Sequence, residues 1–430
     1  MLIKNATIIT QDKDREIILR GYVRIENDLI TSVGQGSYMG AMKDEEEVID
    51  ASGFIISPGF INTHVHLGET IYADFIDGKY DLESYIEITN KIASASATIE
   101  DERKAVCDYS MLQLIKSGTT TIAGGRTSES SERFGIRNVS GYMLMRSPKL
   151  ERFSLDLEPQ FERFYEVLDR SVSYPALFIH SLGTVDEEIL LKAQLLKKKY
   201  NDLRIMAHVA ETRRVETESM KRFGMSSVQT LRKYDLLNSR TLLVHGNNLS
   251  VEDISLIRES GSSLAHCLSS NIRVADGVVD IQPLTKQGVP VSIATDGFAT
   301  SGTLSVLSEA VSCYSYHNKV TCRFTAQEIF DMITINPAKA LDMAGEIGSI
   351  EPGKRADIVF LKAKESTSNQ DPVLQLVTDP AILAETVIVG GKMLFSGGEL
   401  LIGNEKEIDD DFFRVVNKVK SDLTTTSFRG

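Results

Sequence analysis

The sequence predicts an α/β protein: a TIM (β/α)8 barrel carrying a small discontinuous β-sandwich domain formed by the N- and C-terminal segments. Three observations lead there. From Pro58 onward, apolar runs of about five to seven residues alternate with stretches of helical periodicity, the pattern of a parallel sheet built from repeated βα units. Both ends of the chain instead read as short β-rich runs punctuated by Gly and Pro. Six of the seven histidines fall at or near the carboxyl end of a predicted strand, and in a TIM barrel those ends converge on one mouth.

The elements follow in order. Leu2 to about Ser57 gives the runs LIKNATIIT, ILRGYVRIEN and LITSVG, separated by polar and Gly turns, which predicts a small antiparallel sheet. The buried-looking runs that follow are FINTHVHL, TTTIAGG, SGYMLMR, ALFIHS, RIMAHVAE, TLLVHGN, SSLAHCL and PVSIATDG, the number of strands that closes a TIM barrel. Amphipathic stretches such as Asp101 to Ser117, Val185 to Lys199 and Val251 to Ser260 lie between them. The connection from Gly68 to about Thr98 is long and is expected to fold over the barrel mouth. Two helical stretches, Thr303 to Asn318 and Thr325 to Met343, precede a return to β-like sequence in GSIEPGKRADIVFL and ETVIVGGKMLFSGG. The predicted organisation is residues 1–57 and 346–403 as the two parts of the β-domain, 58–345 as the barrel, and 404–430 as a charged, helical tail that packs outside or frays.

At 430 residues the chain exceeds one ordinary core, and its 42% hydrophobic and 25% charged composition is that of a globular protein. A net charge of -13 disfavours a nucleic-acid backbone and favours a small-molecule substrate. The first residues, MLIKNATIITQDKD, lack the apolar run of a signal peptide, and no later run approaches membrane-spanning length. A cytoplasmic protein is therefore expected, and a homodimer would be unsurprising. Cys107, Cys267, Cys313 and Cys322 show no paired spacing, so buried thiols are expected instead of a disulfide framework or a thiolate zinc site.

A single histidine is more often a satisfied core residue than a ligand. Six at one barrel mouth are hard to explain as packing. His64 and His66, two apart on a strand, point to the same face, and Asp296 on the eighth strand lands beside them once the barrel closes. His208 supplies a third nitrogen from the fifth strand. Three imidazoles and a carboxylate suit a catalytic divalent ion, zinc first and iron or manganese as substitutes. Such an ion lowers the pKa of water to roughly 7.

Glu211, three residues past His208, is either an acid at a helix start or a proton-transfer group beside the activated water. His245 reads as a fifth ligand or an orienting group, and with four ligands assigned the second is favoured. His180 and His266 either line the pocket or accept a hydrogen bond below it. His317, in a helical run, reads as structural.

These residues resemble the amidohydrolase superfamily over nearly the whole chain. PGFINTHVH, HVAET, LVHGN, AHCLSSN and ATDG stand in that family's order, and NPAKALDMAGEIGSIEPGKRADIVFL looks like its return from barrel to β-domain. Within it the chain resembles the branch that holds S-adenosylhomocysteine/adenosine-type, guanine and cytosine deaminases together with triazine hydrolases. The resemblance implies one divalent metal at His64, His66, His208 and Asp296, since His180 and Ser181 stand where binuclear relatives carry a bridging carboxylated lysine. It implies that His180 touches substrate and that His245 assists attack.

The reaction implied is hydrolytic deamination of a nitrogen heterocycle (a purine, pterin, pyrimidine or relative). Hydroxide supplied by the metal site attacks the ring carbon, Glu211 and Asp296 handle the protons, and ammonia leaves. The glutamate with which adenosine-type relatives grip a ribose is not matched; Ile92 to Ala95 stand there. Glu69 and Tyr72, in the loop after the first strand, Arg146, at the end of the third, and Asn271, in AHCLSSN, are the remaining candidate substrate contacts. Arg146 would pair with an anionic substrate group or with a neighbouring carboxylate. The rival readings keep the site and change the bond, to chloride removal or amide cleavage, or drop catalysis for a scaffold of the dihydropyrimidinase-like type.

Overall fold

The computed structural model describes residues 1–430 apart from 42–45, 77, 79, 97, 147–156, 276, 321–323, 363–370 and 428–430. Eight parallel strands run in chain order: β1 (Phe60–Asn62), β2 (Thr119–Gly125), β3 (Arg137–Leu144), β4 (Ser173–Ile179), β5 (Arg204–Val209), β6 (Thr241–His245), β7 (Ser263–His266) and β8 (Val291–Ile293). Nearly every strand residue is buried, as expected for a parallel sheet covered on both faces. Ile61, Ala123, Val139, Phe178, Met206 and Val244 belong to the apolar cluster of the barrel.

Side chains and a short extension bring β8 to β1. The Asn62 amide donates to Thr295 Oγ1 at 2.7 Å, and the Thr63 and Ser292 hydroxyls lie 2.8 Å apart. Beyond them Asp296–Gly297 pairs in parallel with Val65–His66, and the Asp296 amide donates to the His64 carbonyl at 3.0 Å. The predicted run FINTHVHL is thus two short strands with His64 at the bend between them. Gly124 makes room for this: a Cβ there would sit 2.3 Å from the Val65 carbonyl oxygen.

The terminal segments meet in a nine-stranded sheet. Ile358–Lys362 bridges Ile55–Pro58 and Leu383–Val389, while Leu2–Ile9 pairs with Ile55–Pro58, with Ile17–Glu26 and with Val48–Asp50. This sheet has its own apolar cluster, including Ile3, Ile8, Val23, Ile56, Ile358 and Phe360. One ion pair locks it to the barrel. Arg137 at the start of β3 donates to both carboxylate oxygens of Asp357, at 3.2 and 3.0 Å, with side chains 2% and 3% exposed. Gly390 N donates to the same carboxylate at 2.8 Å. Removing one partner strands a buried charge, so Asp357→Ala is expected to lower the unfolding free energy by about 3–5 kcal/mol. Denaturant unfolding measures this, and an unchanged midpoint would contradict it.

The helical stretch read as Thr325 to Met343 is two helices, Ala326–Asp331 and Ile335–Ala340. Pro337 has no amide hydrogen to continue a helix, and the break frees the Ile333 carbonyl to accept from Ile61 N of β1 at 3.1 Å. The final helix, Glu405–Ser427, sets Phe412, Val415, Val416 and Val419 on one face against Ile71, Ile92 and Val106. Phe412 stacks on Tyr109 with ring centroids 4.0 Å apart. Cys107, Cys267 and Cys313 are buried free thiols, whereas Cys322 lies outside the described residues. No described helix is long and apolar enough to cross a membrane.

Candidate metal and catalytic site

The mouth of the barrel brings together the four residues that the sequence nominates as ligands. Ligand atoms of His64, His66 and His208 lie within 4.8 Å of one another, and so do those of His64, His245 and Asp296. Asp296 Oδ1 is 3.2 Å from Nε2 of both His64 and His66, and His208 Nε2 is 3.1 Å from His64 Nε2. His208 Nδ1 is 2.7 Å from the His180 carbonyl. A carbonyl only accepts, so Nδ1 carries the proton and Nε2 turns its lone pair inward.

The charges fit a cation. Burial pushes the His64 pKa down to about 4 and that of His208 well below its usual range, leaving both imidazoles neutral, the ligating form. Burial would raise Asp296, but hydrogen bonds from His64 and His66 hold it well below the ordinary carboxylate range. Burial also opposes charge on His66, yet Glu69 and Asp296 push its pKa up to about 9. Three carboxylates, Glu69, Glu211 and Asp296, thus face a buried spot beside the His66 imidazolium. Nitrogen and oxygen donors without thiolate, converging on one point, fit a divalent metal of the zinc type.

The remaining groups are held from behind. His245 Nε2 lies 3.6 Å from Glu211 Oε1, and its Nδ1 is 2.9 Å from Asn271 Oδ1. With this amide orientation the ring donates from Nδ1. Ser270 donates to Asp296 Oδ2 at 2.6 Å. Ser270 and Asn271 sit on the short helix Leu268–Val274, and the buried Glu309 ties that helix down by accepting from Ser269 N and Oγ at 2.7 and 2.6 Å. Burial raises the Glu211 carboxyl above its usual range. His245 and Asp296 have φ of 71° and 63°, left-handed backbone that costs a non-glycine residue about 1–2 kcal/mol. Such strain collects at functional sites.

A cavity of about 260 Å³ opens on this cluster, lined by His66, His180, His208, Glu211, His245 and Asp296. Glu69 also lines it, accepting from the Tyr85 hydroxyl at 2.8 Å. Gly297 lets that carboxylate in, since a Cβ there would lie 2.3 Å from Glu69 Oε2. The long connection after β1 does cover the mouth: helix Leu82–Ala95 supplies Leu82, Glu83, Tyr85 and Ile86 to the wall.

Four expected substrate contacts lie elsewhere. Tyr72 packs into the apolar cluster around Ile71 and Phe412 and does not line the cavity. Arg146 pairs with Asp186 and Glu188 (2.8 Å to the latter), which is the ion-pair alternative. His266 is fully buried with Nε2 3.0 Å from His317 Nε2, so packing occupies it. Asn271 is buried behind His245 and positions that ring. Sequence reasoning missed Glu83, Tyr85, Arg214, Glu218 and Thr300, which also line the cavity, as well as Ser270 and Glu309. Ser270 stood beside Asn271 in the quoted AHCLSSN run, but no spacing singled out the others.

Comparison with known proteins agrees with this architecture. The model of the amidohydrolase family matches residues 55–394. A 5-methylthioadenosine/S-adenosylhomocysteine deaminase of Caldicellulosiruptor saccharolyticus is 30% identical over 430 residues, 95% of this chain and 96% of that protein. An adenosine deaminase from Xanthomonas campestris, solved with bound zinc, superposes with a TM-score of 0.86 at 20% identity, covering 98% of each chain. A mutant atrazine chlorohydrolase from Arthrobacter aurescens, solved with zinc and atraton, gives a TM-score of 0.86 at 20% identity, covering 96% of this chain and 99% of that one. With a closed barrel whose mouth gathers three imidazoles and an aspartate, and a family match spanning most of its length, the chain belongs to the amidohydrolase family, hydrolases that act on carbon–nitrogen bonds with the aid of a divalent metal.

Proposed function

We propose that the chain is a metal-dependent aminohydrolase that replaces a ring amino group of a nitrogen heterocycle by a carbonyl, with release of ammonia. His64, His66, His208 and Asp296 hold a single zinc ion, and Glu211, His245 and Asp296 carry the chemistry. The observation that carries this reading is the buried Glu211 carboxyl, 3.6 Å from His245 Nε2 and on the wall of the cavity that His66, His208 and Asp296 share. At about 260 Å³ the cavity lies near the small end of ligand pockets, about 300–1,000 Å³; it suits one ring system and not a polymer.

When bound, the ion polarises water and supplies hydroxide near neutral pH. Glu211 takes a proton from the attacking water and returns it to a ring nitrogen, work for which a carboxyl raised by burial is suited. His245, fixed by Asn271, orients the attack, and Asp296 passes the second proton to the departing amine. Water adds, ammonia leaves, and the ring keeps one oxygen in place of one nitrogen. His180, whose Nδ1 lies 3.2 Å from Thr184 Oγ1, and Glu69 contact the ring from the cavity wall.

The same site would serve chloride displacement, and the released group separates the readings. Incubation with aminated purines, pterins and triazines is expected to release ammonia from at least one. Chloride release from chlorinated triazines without ammonia from any amine would overturn the proposal.

A further inference from the structure

A second and larger cavity, about 610 Å³, shares no lining residue with the first and has no part in the proposed chemistry. It opens between the ends of β2 and β3 and the helix Leu157–Val167. Three arginines line it: Arg103, Arg126 and Arg163. Among the described residues none makes an ion pair or a side-chain hydrogen bond. This is not for want of carboxylates, since acidic residues outnumber Lys and Arg by 60 to 47. Arg15, Arg24, Arg137, Arg355 and Arg414 all have acidic partners. Glu129, the one carboxylate among the described wall residues, pairs with none of the three.

Two further features oppose keeping cations here without a ligand. Arg103 is the first residue of helix Arg103–Lys116, where the helix dipole favours negative charge. Arg126 has a φ of 57°, left-handed backbone that costs any residue but glycine. The rest of the wall is largely apolar, with Met143, Leu157, Phe164 and Ile189. Guanidinium groups recognise carboxylate and phosphate oxygens in pairs. We propose that this cavity binds a small organic anion, a carboxylate or phosphate monoester with an apolar body, through Arg103, Arg126 and Arg163. Arg103 also flanks the chain just after His66, since a Cβ on Gly68 would lie 3.3 Å from its Nη2. The anion is therefore either the charged end of the substrate or a separate ligand felt at the active site.

Calorimetric titration of the full-length protein with benzoate and with phenyl phosphate, and with benzyl alcohol as the neutral control, tests the ligand class independently of any activity. The anions are expected to bind and the alcohol not. Arg126→Gly, which removes the guanidinium and suits the left-handed backbone, and Arg163→Gln on the rim should each weaken binding by about tenfold or more. Anion binding no tighter than that of benzyl alcohol, or unchanged in both variants, overturns the proposal. The source is read from turnover and rests on the deaminase reading. If the anion belongs to the substrate, the ratio of kcat/KM for adenosine 5'-monophosphate to that for adenosine falls about tenfold in Arg126→Gly. If it is separate, phenyl phosphate alters adenosine turnover in the native protein more than in that variant. Binding without turnover of either nucleoside would stand against the deaminase reading and leave the anion cavity supported.

Discussion

Glu211→Gln is expected to lower turnover by about a hundred- to ten-thousand-fold, the range over which a positioned acid–base group contributes, while the bound metal stays. Glutamine keeps the shape of the side chain and removes the proton that must move. The position tolerates the change, because Glu211 is buried against a histidine at 3.6 Å and not within a tight ion pair. Steady-state rates together with metal analysis of the same preparation check this. Native turnover would remove Glu211 from the chemistry, and loss of metal along with activity would make it a structural support instead.

Asp296→Asn is the second large effect. The left-handed backbone at Asp296 is one that asparagine also tolerates, and Ser270 and Thr300 can still donate to the amide oxygen. The variant should therefore fold. It loses the carboxylate that lies 3.2 Å from both His64 and His66, and with it a ligand and a proton carrier at once. Turnover is expected to fall by more than about a thousandfold and metal content with it. A variant that folds, keeps its metal and retains rates within a few fold of native would contradict both roles.

The barrel was legible because its signals are local and repeated. Each strand is a short run buried on both faces, and the ends of those runs bear histidines in a chain with few of them. His64, His66 and His208 follow from strand periodicity, and Asp296 follows from closure of the sheet. The bend at His64 was not legible, because it depends on Gly124 leaving room for the Val65 carbonyl from another strand. The lining of the cavity was less so. Glu83 and Tyr85 reach it only through the path of the long connection after β1, which no periodicity fixes. Tyr72, in the same connection, turns into the apolar layer under the final helix. Arg146 is kept off the cavity wall by electrostatics: Asp186, which caps the next helix by accepting from Ile189 N at 3.0 Å, lies within reach and pairs with it. His266 and Asn271 point behind the site, a choice made by His317 and His245 from distant segments.

Elemental analysis of the purified protein beside His208→Ala tests the central claim most directly. The four side chains that meet at the barrel mouth should hold one divalent ion per chain in the native protein, and the variant, which has lost the ligand facing His64 at 3.1 Å, should retain only traces. A native protein without stoichiometric metal, or a variant that binds as much as the native chain, would contradict the account.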